Sequence, residues 1–515
     1  MKKETDNPKD RGGWSYFVFI CLGLAHLLPF NCFITAYEYF SSAFPTNKNF
    51  EFAFNSIFNS ASVLGLISDI VYQNRKKKKW LLINKDTNFR RNFSFGMILS
   101  LLFEIATQIL VPVFIELIKG KISFYLTLIL VFVGGYFTGI FQSGMFSFAA
   151  ILPPKYTQAV MTGQGVAGAG VSLLRVITRV SFEDTKEGLK KSSILYFSIS
   201  AFILVCVLFC FLFLLKTRFI KYHLEVFWAY SFQNKKQEEK DKLLEKSDEE
   251  YQFKSISENS NNDEKSDDPK NDLKDNLKND SKNDLKDNLK NDLKNDSKDD
   301  LKDNLKDDLK ENQNETILDD LKENQNNHLK NVHERDQENH KLLETHKIKL
   351  KSVAKELAKF EFGVFFVFFV TLALFPSVIT QIPSQKSSLT SGGWFAIIMI
   401  SVFNFFDLIG RTLPRWFSRL FPFKVLFIII VSRSVFFVLF LLSANKIIYS
   451  DALSIIFMVI FALSNGYCSS VIMMIAPHSI QPYKRDAAGS LMTAFLQIGL
   501  VVGSCSSWIF ILFLP

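Results

Sequence analysis

Long apolar runs alternate with short polar breaks along most of the chain, and one long polar stretch divides them into two groups. Crossing a bilayer takes about 20 predominantly apolar residues in helical form. Six such runs precede the polar stretch, over 14–40, 51–73, 93–118, 122–151, 155–181 and 192–216. Five follow it, over 359–382, 392–413, 424–444, 451–477 and 486–513. The pattern predicts an all-α membrane protein of about 11 transmembrane helices in a 6+5 arrangement. Two half-bundles of this kind suit rocking about a central site, the physics of alternating access. The expected organisation is an N-terminus over 1–13, a first bundle over 14–216, a linker over 217–358 and a second bundle over 359–515. The run at 14–40 is too long for the core of a signal peptide and lacks a small-residue cleavage site, so it reads as the first span.

Charge orients the bundles. Between the second and third spans lie Arg75, Lys76, Lys77, Lys78, Lys79, Lys85, Arg90 and Arg91 against the single acid Asp86. Arg411, Arg415, Arg419 and Lys424 flank the loop between the eighth and ninth spans. By the positive-inside rule these loops, the N-terminus and the 217–358 stretch are cytoplasmic. An odd span count then places the C-terminus outside. The formal charge of +9 does not call for nucleic acid. Its cations cluster beside apolar runs, which fits anionic lipid and topology control, and no nucleic-acid motif accompanies them.

The polar stretch is low in complexity. From Leu273 to Asn312 it runs as ten tetrads such as Leu-Lys-Asp-Asn and Ser-Lys-Asn-Asp. A period of four moves each Leu about 40° round a helix, and Asn and Asp compete with helical hydrogen bonding. The expectation is a disordered cytoplasmic linker. The six cysteines, Cys21, Cys32, Cys206, Cys210, Cys468 and Cys505, all sit in apolar segments without metal-type partners, and read as small packing residues. No phosphate-binding Gly-rich loop, hydrolase triad or zinc motif is present, so no enzyme activity and no cofactor are expected.

Polar groups inside apolar spans are costly and mark function by default. Asn404, Asp407 and Arg411 recur at i, i+3 and i+7, which puts them on one face of span eight. Asp407 and Arg411 form either a structural ion pair at a bundle seam or a contact to a sugar hydroxyl or base edge. Gln142 in span four has donors and acceptors suited to a base edge, or to gluing helices together. In span one, Pro29 lies beside Phe30, Asn31 and Thr35, and a break in the helix there can expose Phe30 as a stacking surface. His26, Glu104 and Asp407 are the candidates for proton coupling. Gly163, Gly165, Gly168 and Gly170 in span five read as small residues that let helices approach closely. Glu104, Arg175, Arg179 and Arg433 read first as structurally paired or interfacial.

Several segments together resemble the equilibrative nucleoside transporter family. Leu28-Pro29-Phe30-Asn31 is similar to that family's first-span Leu-Pro-Trp-Asn motif, and Leu152-Pro153-Pro154 followed by Gly163-Gln164-Gly165 to its junction of spans four and five. Phe375-Pro376-Ser377-Val378, Phe403-Asn404-Phe405-Phe406-Asp407 with Gly410-Arg411, Ser464-Asn465-Gly466-Tyr467 and Ala488-Gly489 follow in order. The resemblance implies a major-facilitator-like two-bundle carrier for purine or pyrimidine nucleosides, sometimes nucleobases, in a lipid bilayer. The plasma membrane is the default expectation and an organelle membrane the alternative. It implies that Phe30, Ile34 and Leu500 line the base region, that Gln142 contacts the base edge and that Asn404, Asp407 and Arg411 serve the substrate site. It also implies that Arg91 and Asp486 form a cytoplasmic gate pair. Phe30 stands where the family commonly has Trp, and Thr138 where it often has a small residue, which bears on specificity. The Lys/Asn/Asp-rich linker and heavy Phe and Ile usage point to an AT-rich genome such as that of a protozoan parasite.

Overall fold

A computed structural model describes residues 8–36, 39–40, 43–44, 50–83, 88–118, 120–182, 185–231, 350–391, 394–417 and 421–511. The chain divides into two units, residues 1–235 with 347–515, and residues 236–346. The second unit lies outside the described residues, and the disorder expected of the linker lies there with it.

The first unit is built of helices. We number the principal ones α1 (Trp14–Thr35), α2 (Phe50–Ile83), α3 (Asn88–Leu117), α4 (Lys121–Ile151), α5 (Pro154–Ser181) and α6 (Lys186–Leu214). A further helix, α7, covers 218–231, and α8 covers 350–374. The second half continues with α9 (Trp394–Thr412), α10 (Phe423–Ser432), α11 (Val435–Ala444), α12 (Asp451–Ile475) and α13 (Arg485–Ile511). Ten helical segments among the described residues are long and apolar enough to cross a membrane, and they fall on ten of the expected spans. The other expected span, 51–73, lies within α2, which at 34 residues is about 51 Å long. Helix α7 and the first turns of α8 lie inside the stretch that the sequence assigns to the linker. Phe219, Ile220, Leu224 and Phe227 are buried along one side of α7, with Lys221 and Glu225 exposed.

Helix α3 shows why these runs fold as membrane helices. Met97, Leu101, Glu104, Gln108, Val111 and Ile115 are buried, whereas Leu102, Phe103, Ile109, Val113 and Leu117 are exposed. Both faces are largely apolar, one toward helices and one toward lipid, and the few polar residues point inward. Starts are fixed locally. The Asp10 carboxylate accepts from the Ser15 N–H at 3.0 Å, and Thr185 Oγ1 from the Gly188 N–H at 3.1 Å. Pro154 opens α5, where a missing N–H costs nothing.

Within each half, backbones touch through glycine. A methyl group built on Gly163 would stand 1.9 Å from the Ile20 carbonyl oxygen, locking α5 to α1. One on Gly466 would stand 2.2 Å from the Asp407 carbonyl oxygen, locking α12 to α9. These are the small-residue contacts that hold membrane helices together without a hydrophobic driving force.

The apolar packing is asymmetric. One buried cluster runs continuously through both halves, from Val18, Phe148 and Tyr156 to Leu357, Val471 and Met492, at the helix ends nearest the linker. At the opposite ends the halves have separate clusters, one around Phe33, Phe40 and Phe197, the other around Met399, Phe440 and Phe461. The structure is thus sealed at the linker end.

Candidate functional site

Asp407 and Arg411 sit one turn apart on α9 and are both buried. Arg411 Nε donates to Asp407 Oδ2 at 2.6 Å, the i,i+4 pairing that the spacing predicts. The other carboxylate oxygen accepts from Asn465 Nδ2 of α12 at 2.7 Å. Asn465 Oδ1 in turn accepts from Thr371 Oγ1 at 2.7 Å. Arg433 closes the group. It donates to Thr371 Oγ1 at 2.7 Å, to the Phe461 carbonyl at 2.8 Å and to Ser464 Oγ, and its guanidinium lies 4.6 Å from the Phe461 ring centre. The pair is therefore embedded in a hydrogen-bonded network, in which Asp407 neutralises Arg411 and Arg433 is held by neutral oxygens.

The network crosses to the first half. Arg411 Nη1 donates to Gln164 Oε1 of α5 at 3.1 Å, and Gln164 Nε2 meets His26 Nδ1 of α1 at 3.2 Å. Gln142 of α4 lies beside His26. His26, Gln164, Arg411 and Asp407 thus form one hydrogen-bonded chain between the halves, with Gln142 beside its His26 end. Asn404, one turn before Asp407, donates to Ser172 Oγ of α5 at 2.7 Å. Glycines make the crossing possible, because methyl groups on Gly165 and Gly168 would stand 2.9 Å from Leu408 Cα and from Asn404 Oδ1.

The seam continues toward the linker end. Gln158 Nε2 donates to the Arg411 carbonyl at 3.1 Å, and Gln158 Oε1 accepts from Tyr16 Oη at 2.8 Å. The Arg415 guanidinium stacks on the Tyr16 ring at 4.5 Å. Ser147 and Ser490 hydroxyls meet at 2.6 Å, and His478 Nε2 lies 3.0 Å from the Leu152 carbonyl.

Of the residues singled out from sequence, Asn404, Asp407, Arg411 and Gln142 are brought together. Phe30 stands one turn beyond His26 and packs against Phe58, ring centres 5.0 Å apart. Leu500 is half-buried on α13 beside the cluster shared by both halves. Thr138 is buried one turn from Gln142, with its hydroxyl toward Glu104. Asp486 lies in the first turn of α13. The side chains of Ile34 and Arg91 lie outside the described residues. Sequence reasoning missed Gln158 and Thr371 and undervalued Gln164, Arg433 and Asn465. Arg433 interrupts an otherwise apolar run between α10 and α11, and that cation was the available signal.

Two helical bundles meeting at a buried polar seam define a two-bundle membrane transporter. Among solved structures, the fold is similar to the major facilitator superfamily proton:xylose symporter XylE, with a TM-score of 0.54 at 12% identity over 97% of this chain and 88% of that one. The chain belongs to the nucleoside transporter family, whose profile matches residues 128–280 and 288–512. It is 24% identical to the equilibrative nucleotide transporter 1 of Arabidopsis thaliana over 98% of this chain and 88% of that protein. It is 23% identical to the equilibrative nucleoside transporter 1 of Homo sapiens over 98% of both. A shorter stretch, 28% of this chain and 34% of the relative, is 37% identical to the human equilibrative nucleoside transporter 2.

Proposed function

We propose that the protein carries nucleosides, and nucleobases with them, down their gradients across a membrane by alternating access. The observation that carries this reading is the polar chain from His26 through Gln164 to Arg411 and Asp407, with Gln142 beside His26. It joins both halves and offers the two kinds of partner that a nucleoside requires. The carboxamide of Gln142 suits a base edge, and the Asp407–Arg411 pair with Asn404 suits ribose hydroxyls. Phe30, Ile34 and Leu500 supply apolar surface for the base, with Thr138 tuning its fit. Substrate enters from the face away from the linker, where each half keeps its own apolar cluster. Charge placement makes that face external and the linker cytoplasmic, with the plasma membrane as the location. Arg91 and Asp486 reinforce the sealed end as a gate pair.

The test is uptake of radiolabelled adenosine and hypoxanthine into proteoliposomes, with Asp407→Ala and Gln142→Ala for comparison. Uptake that both substitutions abolish is expected. Unchanged uptake in both would discard the site, and no uptake of any purine or pyrimidine would discard the function.

A further inference from the structure

Of the three groups that the sequence offers as proton carriers, two are committed elsewhere. Asp407 is paired with Arg411 and Asn465, and His26 Nδ1 is bonded to Gln164. Glu104 is different. Its residue is 0% exposed and neither carboxyl oxygen has a hydrogen-bond partner. One turn along α3, Gln108 is equally buried, with both its carboxamide oxygen and nitrogen unpartnered. Across the helix interface the Thr138 hydroxyl faces Glu104 and is unpartnered, and one turn further along α4 so is Gln142 Oε1.

An ionised carboxylate cannot stay in such a place without a cation, because an unpaired charge in low dielectric is far costlier than a neutral acid. Among the described residues, no cation partners the Glu104 carboxyl. On α3 itself Ser100 and Gln108 flank Glu104 one turn away. Helix α4 contributes Thr138, and its Tyr136 hydroxyl is bonded to Ser68. On α2 the charged residue described as buried is Asp69, an acid beside Gln73. Helix α6 carries Tyr196, bonded to Thr178, with Cys206 and Cys210, and α1 carries His26. None of these is a hydrogen-bond partner of the Glu104 carboxyl.

We propose that Glu104 is a proton-binding site of the first half, occupied in this conformation and needed occupied for transport. The bound proton turns the carboxylate into a neutral acid with one O–H donor, which Thr138 Oγ1 or Gln108 Oε1 can accept. Loss of the proton leaves a bare anion between α3 and α4 and drives the two helices apart to admit water. Gln142 lies on that same face of α4, so the base-edge contact is lost with the packing. The proton stays bound through the cycle, so substrate still flows downhill. The inference rests on the nucleoside reading for its transport readout alone.

The experiment measures adenosine exchange in proteoliposomes at equal internal and external pH, from about pH 6 to about pH 9. Wild-type exchange should fall as pH rises, by up to about tenfold per pH unit in the titrating range, as loss of one proton requires. Glu104→Gln, which keeps the shape and carries no charge, should exchange at the low-pH rate throughout. A flat wild-type profile, or the same slope in Glu104→Gln, would overturn the proposal. A second readout needs no substrate: the melting temperature of the detergent-solubilised protein should fall with rising pH in the wild type and not in Glu104→Gln. A pH-independent melting temperature in the wild type would remove the proton site while leaving the transport reading intact. Absence of nucleoside exchange at every pH, with the melting difference present, would do the reverse.

Discussion

The Asp407–Arg411 pair admits a test that separates holding the fold from serving the substrate. Replacing Asp407 by Leu leaves the Arg411 guanidinium buried with its charge uncompensated, which costs about 3–5 kcal/mol. It also strips the Asn465 Nδ2 donor of its acceptor, at about 1–3 kcal/mol more. Asn465 cannot turn to escape, because its Oδ1 is already held by Thr371 and Arg433. Arg411→Met is less severe, since Asn465 still serves the Asp407 carboxylate, although Gln164 loses its donor. The double substitution removes both charges and fills similar volume, a change that is often neutral or stabilising. Denaturation of the detergent-solubilised protein should therefore show a coupling of several kcal/mol between the two positions. Additivity within about 0.5 kcal/mol would refute the pairing. Uptake is measured on the same four proteins. If the double variant is as stable as the wild type yet transports nothing, the pair serves substrate. If it transports normally, the pair is only structural and the site assignment falls.

Other outcomes follow from the packing. Gly163→Ala places a methyl group 1.9 Å from the Ile20 carbonyl oxygen, and with only backbone to yield, the protein should lose about 2 kcal/mol or more of stability, seen as a lower melting temperature than that of Gly170→Ala. Gly170 has open space at that position, so equal effects would contradict the close seam. Deleting 240–345 should leave uptake by reconstituted carrier within about twofold of the intact chain. Loss of uptake on that deletion would favour a partner-recruiting role for the linker.

Much of this was legible in the sequence because membrane helices are specified by length and hydropathy. All eleven runs read from the sequence fall on helices, ten of them long and apolar enough to cross a membrane, and the Ile151–Pro154 turn falls where the two prolines place it. The i,i+4 pairing of Asp407 and Arg411 was also legible, since helical periodicity alone puts them on one face. What could not be read was the identity of partners from other helices. Nothing in a sequence says that Gln164 bridges Arg411 and His26, because that depends on which face α5 turns toward α9. Gln164 was hidden in a glycine run that drew attention to packing instead. The 217–358 stretch opens with helix α7, where Arg218, Lys221, His223 and Glu225 interrupt a short apolar stripe, and that mixture does not announce a docked helix.

The seam between the halves is a set of single hydrogen bonds: Ser147 with Ser490, Asn404 with Ser172, Gln158 with the Arg411 carbonyl, Arg411 with Gln164. Each can be exchanged for a bond to water at little net cost, about 1 kcal/mol apiece. Parting the polar contacts is thus close to an exchange of partners, and the cost of opening falls mainly on wetting the apolar cluster that both halves share. A small solute that binds at the seam with modest differential affinity is enough to redistribute the populations. The polar contacts of the seam leave little to overcome beyond that apolar wetting.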